Sequence, residues 1–187
     1  MRIIGGLYKG RIFKPGKNFK ARPTTDVAKE ALFNILENRY VFSDKNVLDI
    51  FSGSGSIGFE FISRGCNEAV LVEKDFMHHR FISDAAKTLG IDNVKVFKSD
   101  TFVFLSRYQG NFDFIFADPP YNLTNFKDVP DAVLNTKILK PEGLFILEHP
   151  KEFNFSNHPF FKENRKYGKV NFSFFENKKP LANNKGL

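Results

Sequence analysis

Length, composition and cysteine content exclude several classes of protein. The chain has 187 residues, of which 42% are hydrophobic, and this suffices for one compact domain with its own core. Its one cysteine, Cys66, excludes an internal disulfide framework and is typical of a reducing compartment, so we expect it only to pack. The sequence shows no secretory signal and no apolar run near the roughly 20 residues of a membrane span. We therefore expect a cytoplasmic monomer without membrane contacts.

The net charge of +7 is concentrated at the two ends of the chain. Residues 1–40 contain nine basic and three acidic residues, residues 41–150 contain eleven and fifteen, and residues 151–187 contain eight and three. A basic stretch without acids binds phosphate backbones through counterion release, although it can equally be a solvated surface that keeps the protein in solution. The candidate nucleic-acid contacts at the start of the chain are Arg2, Lys9, Arg11, Lys14 and Arg22.

The predicted elements begin with a hairpin over Arg2–Phe13, where residues alternate loosely around glycines. A helix is predicted over Val27–Leu36, capped by one of the three polar residues before it. Short apolar strands then alternate with helices. The predicted strands are Val47–Phe51, Ala69–Glu73, Val94–Phe97, Phe112–Ala117 and Leu144–Glu148, and the helices are Ile57–Ser63, Phe76–Leu89, Thr101–Tyr108 and Pro130–Leu139. An antiparallel pair is predicted at Arg165–Lys169 and Asn171–Glu176.

This alternation is typical of βαβ units around a parallel sheet that is buried on both faces. We therefore predict an α/β fold with a mostly parallel central sheet and an antiparallel C-terminal hairpin. The predicted organisation is a basic N-terminal hairpin extension over 1–22, the main domain over 23–177 and a disordered tail over 178–187. Because such sheets bind ligands beyond the carboxyl ends of their strands, the functional residues should directly follow strands.

A glycine-rich turn follows the first strand of the predicted sheet. Its spacing, Gly53-x-Gly55-x-x-Gly58, allows a tight turn and a close approach of the main chain to a ligand, but it also fits a dinucleotide-binding loop. Glu73 ends the second strand, where a carboxylate can hold the ribose of an adenosine. Asp100 follows the third strand and is placed either to accept from an adenine amine or simply to cap a helix.

Asp49 favours one adenosine cofactor over another. It lies in an apolar strand, where an unpaired charge is expensive. The sulfonium and ammonium groups of S-adenosylmethionine would balance this carboxylate, whereas the pyrophosphate of NAD would be repelled by it. The candidate cofactor contacts are Asp49, Phe51, Gly53, Ser54, Gly55, Glu73, Lys74, Asp100, Thr101 and Asp118.

The sequence Asp118-Pro119-Pro120-Tyr121 closes the fourth predicted strand. The prolines fix the backbone and donate no hydrogen bonds, so the Asp118 carboxylate and the Pro119 carbonyl can accept both N–H groups of an exocyclic base amine. Tyr121 can stack on the base, a contact worth roughly 1–3 kcal/mol. Asp118, Pro119 and Tyr121 are therefore the candidate catalytic residues, although the same four residues can form an ordinary turn. No spacing predicts a metal site.

Eight segments of the sequence resemble one protein family. They are Arg2–Gly6 with Lys9–Arg11, Arg22–Asp26 with Glu30–Leu36, Leu48–Gly55, Ser63–Gly65, Asp118–Tyr121 and Lys166–Gly168. They are similar to the RsmD family, the guanine-N2 methyltransferases of 16S ribosomal RNA. The sequence departs from the family pattern at Ser52, where alanine is usual, and the similarity fades after Tyr121.

The resemblance implies a Rossmann-like class I methyltransferase fold, S-adenosylmethionine as cofactor and an N-terminal hairpin that contacts RNA. The implied target is a guanine of 16S rRNA, either naked or in the assembling small subunit. The implied site consists of Asp49, Gly53 and Gly55 in the cofactor pocket, Glu73 at the ribose, and Asp118 with Tyr121 at the base.

Four alternatives remain at this point. An adenine-N6 DNA methyltransferase uses an equivalent amine clamp but usually needs a separate recognition domain, for which 187 residues leave no room. A protein-glutamine methyltransferase would typically present Asn at position 118. An NAD-dependent oxidoreductase explains the glycines and leaves Asp118–Tyr121 without a role. A non-catalytic RNA-binding assembly factor explains only the basic ends of the chain.

Overall fold

A computed structural model describes residues 1–14 and 25–178. Five helices are named in chain order: α1 (Asp26–Glu37), α2 (Ser56–Ser63), α3 (Phe76–Leu89), α4 (Thr101–Arg107) and α5 (Val129–Leu134). Seven strands are β1 (Asn46–Asp49), β2 (Glu68–Glu73), β3 (Val94–Lys98), β4 (Phe112–Ala117), β5 (Leu139–His149), β6 (Phe161–Tyr167) and β7 (Val170–Glu176). A 3₁₀ turn at Phe126–Asp128 leads into α5.

The seven strands form a single sheet in the order β3-β2-β1-β4-β5-β7-β6. The first five run parallel, β7 is antiparallel to β5, and β6 is antiparallel to β7. The predicted α/β fold with its antiparallel C-terminal pair is therefore confirmed. The chain builds outward from β1 through β2 to β3 and then returns to β4 on the other side of β1. This reversal is the point at which open α/β sheets bind ligands.

The prediction for Pro130–Leu139 was wrong at its C-terminal end. Helix α5 stops at Leu134, and Leu139 already pairs with Phe112 as the first residue of β5. The fifth strand is therefore longer than the predicted Leu144–Glu148. Its pairing with β4 is irregular between Phe112, which pairs with Leu139, and Phe114, which pairs with Leu144.

The closing pair also differs from the prediction in the bounds of its first strand. Strand β6 begins at Phe161 rather than Arg165 and ends at Tyr167, and Gly168, with φ of 61°, lies in the turn to β7. The positive φ is the reason for a glycine at position 168, because residues with a Cβ rarely adopt this conformation. A Cβ there would meet no other atom within 4 Å. The boundaries of the other predicted helices and strands agree with the structure to within two residues at each end.

Alternate residues of the central strands pack into two apolar layers, one on each face of the sheet. Val47, Phe114 and Ile146 belong to the layer that contains residues of α1, α2 and α3, whereas Leu48 and Ile115 belong to the layer of α4 and α5. Phenylalanine dominates both layers, as expected for core filling. Cys66 is buried in the first layer, where burial raises the pKa of its thiol to about 12, in agreement with a packing role.

Residues 1–14 fold back on themselves through an antiparallel bridge between Arg2 and Ile12. Ile3 and Phe13 are buried in the layer that contains α1 and α2, so this segment is part of the main core. The backbone amides of Ile4 and Gly5 both donate to the Glu60 carboxylate, at 2.9 and 2.8 Å. The division at residue 22 falls outside the described residues, as do Arg22 and all of the predicted tail except Lys178, and both stay predictions.

Candidate active site

Three carboxylates lie at the carboxyl edge of the sheet, at the point where the strand order reverses. Asp49 ends β1, Asp118 follows β4, and Glu148 lies near the end of β5. Asp49 pairs with Phe116, which in turn pairs with Ile146 on the neighbouring strand. Because side chains alternate along a strand, Asp118 and Glu148, each two residues further on, project from the same face as Asp49.

Asp49 is 1% exposed, and its Oδ1 atom has no hydrogen-bond partner within the described part of the chain. Burial, with a smaller contribution from the charge of Glu73, raises the pKa of this carboxyl to about 7, although the amides of Phe51 and Gly58 partly oppose the shift. A buried carboxylate with an unpartnered oxygen is costly unless a cation or donor supplies the missing interaction. The site therefore fits the positively charged group expected of S-adenosylmethionine.

The glycine-rich turn is held to the end of β2 by Glu73. The amide of Gly53 donates to one oxygen of this carboxylate and the amide of Asp75 to the other, both at 2.8 Å. Gly55 has φ of 75° and forms the left-handed start of α2. These contacts fix the turn beside Asp49, with Ser54 buried within it and Phe51 half-buried before it.

Gly58 has a packing role that the sequence motif alone does not distinguish from ligand binding. A Cβ on Gly58 would lie 2.8 Å from the Cδ1 atom of Leu71 on β2, which is closer than side chains tolerate. The third glycine of the pattern therefore brings α2 close to the sheet.

The predicted adenosine contacts converge at the ends of β2 and β3. Asp100 accepts from the amide of Phe102 at 3.0 Å and pairs with Lys74 at 3.1 Å, so it caps α4, as one of the two interpretations expected. Partial burial opposes its ionisation, but the hydrogen bond from Lys74 and the helix amides together lower the pKa of Asp100. Thr101 donates to the carbonyl of Ile50 at 2.5 Å and thereby ties α4 to the end of β1. An adenine contact for Asp100 stays a prediction.

Asp118 and the residues after it directly follow β4 at the carboxyl edge of the sheet. Burial raises the pKa of the Asp118 carboxyl well above its ordinary value, and the charges of Glu148 and Asp49 raise it further. Pro119 is buried and the Tyr121 side chain is 50% exposed. The amide of Leu123 donates to the carbonyl of Pro120 at 2.8 Å, so the Pro120 carbonyl is used within the turn. This is consistent with Pro119 as the second acceptor for an amine.

Glu148 is a candidate that the sequence prediction missed. It is 3% exposed and lies at the end of an apolar strand, in the same kind of position as Asp49. The predicted fifth strand included it, so an acid at the carboxyl end of that strand was a visible signal. Only the register of β4 with β5 shows that it is a neighbour of Asp118.

The predicted RNA contacts of the N-terminal segment differ in their surroundings. Arg2 pairs with Asp26 at 3.3 Å, and Arg11 donates to the carbonyl of Leu89 at 2.7 Å, so both arginines make contacts within the protein. Lys9 and Lys14 are exposed. RNA binding by any of these residues, and by Arg22 outside the described range, stays a prediction.

Within residues 1–14 and 25–178, no three His, Cys, Asp or Glu side chains are arranged to hold a metal ion. None of the helices in that part of the chain is both long and apolar enough to cross a membrane.

A sequence model of the family described as conserved hypothetical protein 95 matches residues 1–176. The chain belongs to this family. It is the RsmD family that the sequence segments indicated. The Escherichia coli K12 relative, named ribosomal RNA small subunit methyltransferase D, is 32% identical over 152 residues, which cover 81% of this chain and 76% of the relative. A Buchnera aphidicola relative of the same name is 29% identical, with 95% of this chain and 92% of the relative covered.

Solved structures of similar proteins share the fold. A hypothetical protein of Thermus thermophilus is 31% identical and superimposes with a TM-score of 0.82, covering 94% of this chain and 99% of that protein. The Escherichia coli protein yhhF is 29% identical, also with a TM-score of 0.82, and 96% and 99% of the two chains are covered. The predicted methyltransferase fold is thus confirmed.

Proposed function

We propose that this protein transfers a methyl group from S-adenosylmethionine to the N2 amine of a guanine in 16S rRNA. The observation that carries this proposal is that Asp118–Tyr121 directly follow β4, the strand that pairs with Asp49. The candidate amine-binding turn therefore adjoins a buried acid, one oxygen of which has no hydrogen-bond partner among the described residues. The relatives named ribosomal RNA small subunit methyltransferase D support rRNA as the substrate, either naked or in the assembling subunit.

On the cofactor side, the protein supplies a counter-charge and a fixed loop. When bound, S-adenosylmethionine supplies an activated methyl group. Asp49 balances the positive charge of the cofactor. This interaction stabilises the ionised form of the Asp49 carboxyl, the pKa of which is about 7 in the free protein. Glu73 already holds the glycine turn through both oxygens, and a carboxylate has further lone pairs that can accept from ribose hydroxyls.

On the substrate side, the protein orients a poor nucleophile. The lone pair of an exocyclic amine is delocalised into the base, so the nitrogen must be held with this lone pair toward the methyl group. The Asp118 carboxylate and the Pro119 carbonyl accept its two hydrogens, and Tyr121 stacks on the ring. Positioning of this kind provides most of the rate in a direct displacement, which requires alignment more than a strong base. The target base must leave its helix to reach this clamp.

Two rival functions account for less of the site. An NAD-dependent oxidoreductase would place a pyrophosphate against Asp49, whose charge would repel it. A non-catalytic assembly factor gives no reason to bury Asp49 without a partner for Oδ1. The amine clamp alone is compatible with adenine-N6 methylation of DNA, and the rRNA methyltransferases among the relatives favour the guanine assignment.

The decisive experiment measures modified nucleosides and cofactor binding on the same preparations. We expect purified protein, S-adenosylmethionine and unmodified small-subunit rRNA or particles to yield N2-methylguanosine, detected by mass spectrometry. Asp118→Ala should abolish transfer while calorimetry shows that the cofactor still binds, and Asp131→Ala, on the exposed surface of α5, should change neither. Tight binding of NAD without a response to S-adenosylmethionine would overturn the proposal. If Asp118→Ala weakened cofactor binding as much as Asp49→Ala does, the assigned role of Asp118 would be wrong.

A further inference from the structure

The Asp118 clamp does not by itself distinguish guanine from adenine. Both bases carry an exocyclic amine with two hydrogens. They differ at N1, the ring nitrogen beside that amine, which bears a hydrogen in guanine and only a lone pair in adenine. Proteins that bind an unpaired base discriminate through hydrogen bonds to this edge. A residue that selects guanine must therefore be an acceptor located next to Asp118.

Glu148 occupies such a position. The last pairs of β4 with β5 are Phe116 with Ile146 and Ala117 with Leu147, so Asp118 and Glu148 are the next residues of the two neighbouring segments. Neighbouring strands are about 4.8 Å apart, a spacing at which two side chains on one face can contact the same base edge. The two carboxyls are close enough for the charge of Glu148 to act on Asp118.

Two adjacent buried acids are costly to the free protein. Glu148 is 3% exposed, and its like charge disfavours ionisation of Asp118. A ligand with several adjacent N–H donors offsets this cost, because hydrogen bonds to a carboxylate stabilise its ionised form. Guanine has three such hydrogens, one on N1 and two on N2. Adenine would place the N1 lone pair against an acid that can only accept while it is ionised.

We propose that the Glu148 carboxylate accepts the N1 hydrogen of the target guanine and so makes the site selective for guanine over adenine. This inference rests on the proposed function, since it assigns a partner to the ring nitrogen beside the amine that Asp118 holds. A carboxylate accepts up to about four hydrogen bonds, so Glu148 can bind the base and also keep contacts within the protein.

The test changes the predicted hydrogen bond from the RNA side and from the protein side. The modified position is first mapped with the wild-type protein, and the RNA is then prepared with guanine or 2-aminopurine there. The analogue keeps the N2 amine but lacks the N1 hydrogen and the O6 oxygen, so the comparison with Glu148→Gln isolates the contribution of N1. We expect the wild-type protein to methylate guanine roughly 10- to 100-fold faster than 2-aminopurine. Glu148→Gln should reduce this preference to a few-fold, because an amide can either donate or accept.

Three controls separate this role from a structural one. Glu152→Gln, which changes an exposed acid outside the site, should keep the wild-type preference, and Glu148→Asp should keep the preference at a lower rate. Thermal melting and cofactor binding of each variant report on folding. If Glu148→Gln lowered the methylation rates of guanine and 2-aminopurine equally, the preference for guanine would be unchanged. That result would show that Glu148 does not contact N1. If the wild-type protein produced no N2-methylguanosine, the proposed function itself would be wrong, and the assignment of Glu148 with it.

Discussion

Asp49 shows at the scale of one residue how a candidate binding residue can lower the stability of the free protein. It is fully buried, one of its oxygens has no partner in the described part of the chain, and burial raises its pKa to about 7. A folded-state pKa above the unfolded value means that the folded protein retains a proton that the unfolded chain releases. The stabilisation from that proton is complete below the ordinary pKa of an aspartate and is lost as pH rises through about 7. The free protein is thus less stable at pH 8 than at pH 5 because of this residue.

We predict that Asp49→Asn stabilises the cofactor-free protein at pH 8, by roughly 2–4 kcal/mol, with little effect near pH 4. Urea unfolding at the two pH values measures this difference. The same variant should bind S-adenosylmethionine much more weakly, because the cation loses its counter-charge. A variant as stable as the wild-type protein at both pH values would show that the Asp49 charge is already compensated in the free protein.

Asp113 provides the opposite case and a control for this measurement. Partial burial disfavours its charge, but the amide of Asn46 and the ammonium groups of Lys140 and Lys45 outweigh burial and lower its pKa. Its stabilisation is therefore present at neutral pH and is lost on acidification through its folded pKa. Asp113→Asn should destabilise the protein at pH 8. Its effect on the free energy of unfolding should therefore have the opposite sign to that of Asp49→Asn.

At the scale of elements, the N-terminal segment is attached to α2 by direct backbone contact. The amide of Leu7 donates to the carbonyl of Ser63, and the Glu60 carboxylate accepts from the two amides before Gly6. Glu60 is itself buried with Lys29, at 3.4 Å, and Arg64, at 2.8 Å. Since α2 begins at the glycine turn, this ion cluster connects the basic segment to the cofactor loop.

Two glycines of this segment give a matched test of that attachment. Both have positive φ, but a Cβ on Gly6 would lie 1.7 Å from the carbonyl oxygen of Ser63, whereas a Cβ on Gly10 would meet nothing within 4 Å. We predict that Gly10→Ala costs only the backbone strain of about 1 kcal/mol. Gly6→Ala should displace residues 1–14, observed as faster amide hydrogen exchange there and weaker RNA binding. Equal effects of the two variants would exclude a specific role for the contact with α2.

At the scale of the whole molecule, positive charge lies at the two ends of the sequence and the central part is mildly acidic. The structure divides the N-terminal cations by their surroundings. Arg11 is held by the carbonyl of Leu89 and lies over the ring of Tyr8, while Lys9 and Lys14 are exposed. The two lysines are therefore the better test of RNA contact, because their removal leaves the contacts of this segment with the core in place.

We predict that the double variant Lys9→Ala with Lys14→Ala binds rRNA more weakly and with a smaller dependence on salt. Each lost phosphate contact lowers the slope of log affinity against log salt by about 0.7–0.9. Binding measured over a range of salt concentrations gives this slope, with Lys87→Ala and Lys151→Ala, both exposed elsewhere, as the control pair. An unchanged slope would mean that the two lysines only keep the protein soluble.

The sequence by itself determined the features that depend on near neighbours in the chain. Strand and helix periodicity, the glycine turn after β1 and the rigid turn after β4 each involve residues close together in the chain, so their pattern is visible without the fold. The same is true of Asp49, since an acid within a short apolar strand already indicates an unusual partner.

Only the tertiary structure decided the features that depend on pairing between distant segments. The pairing of Leu139 with Phe112 ended α5 early, and the close approach of Leu71 explained Gly58. The register of β4 with β5 placed Glu148 beside Asp118, thirty positions apart in the chain. Hydrogen bonds between strands set this register, and no local pattern encodes it. The candidate amine clamp at Asp118–Tyr121 is therefore visible in the sequence, whereas the position of Glu148 beside it is found only in the folded sheet.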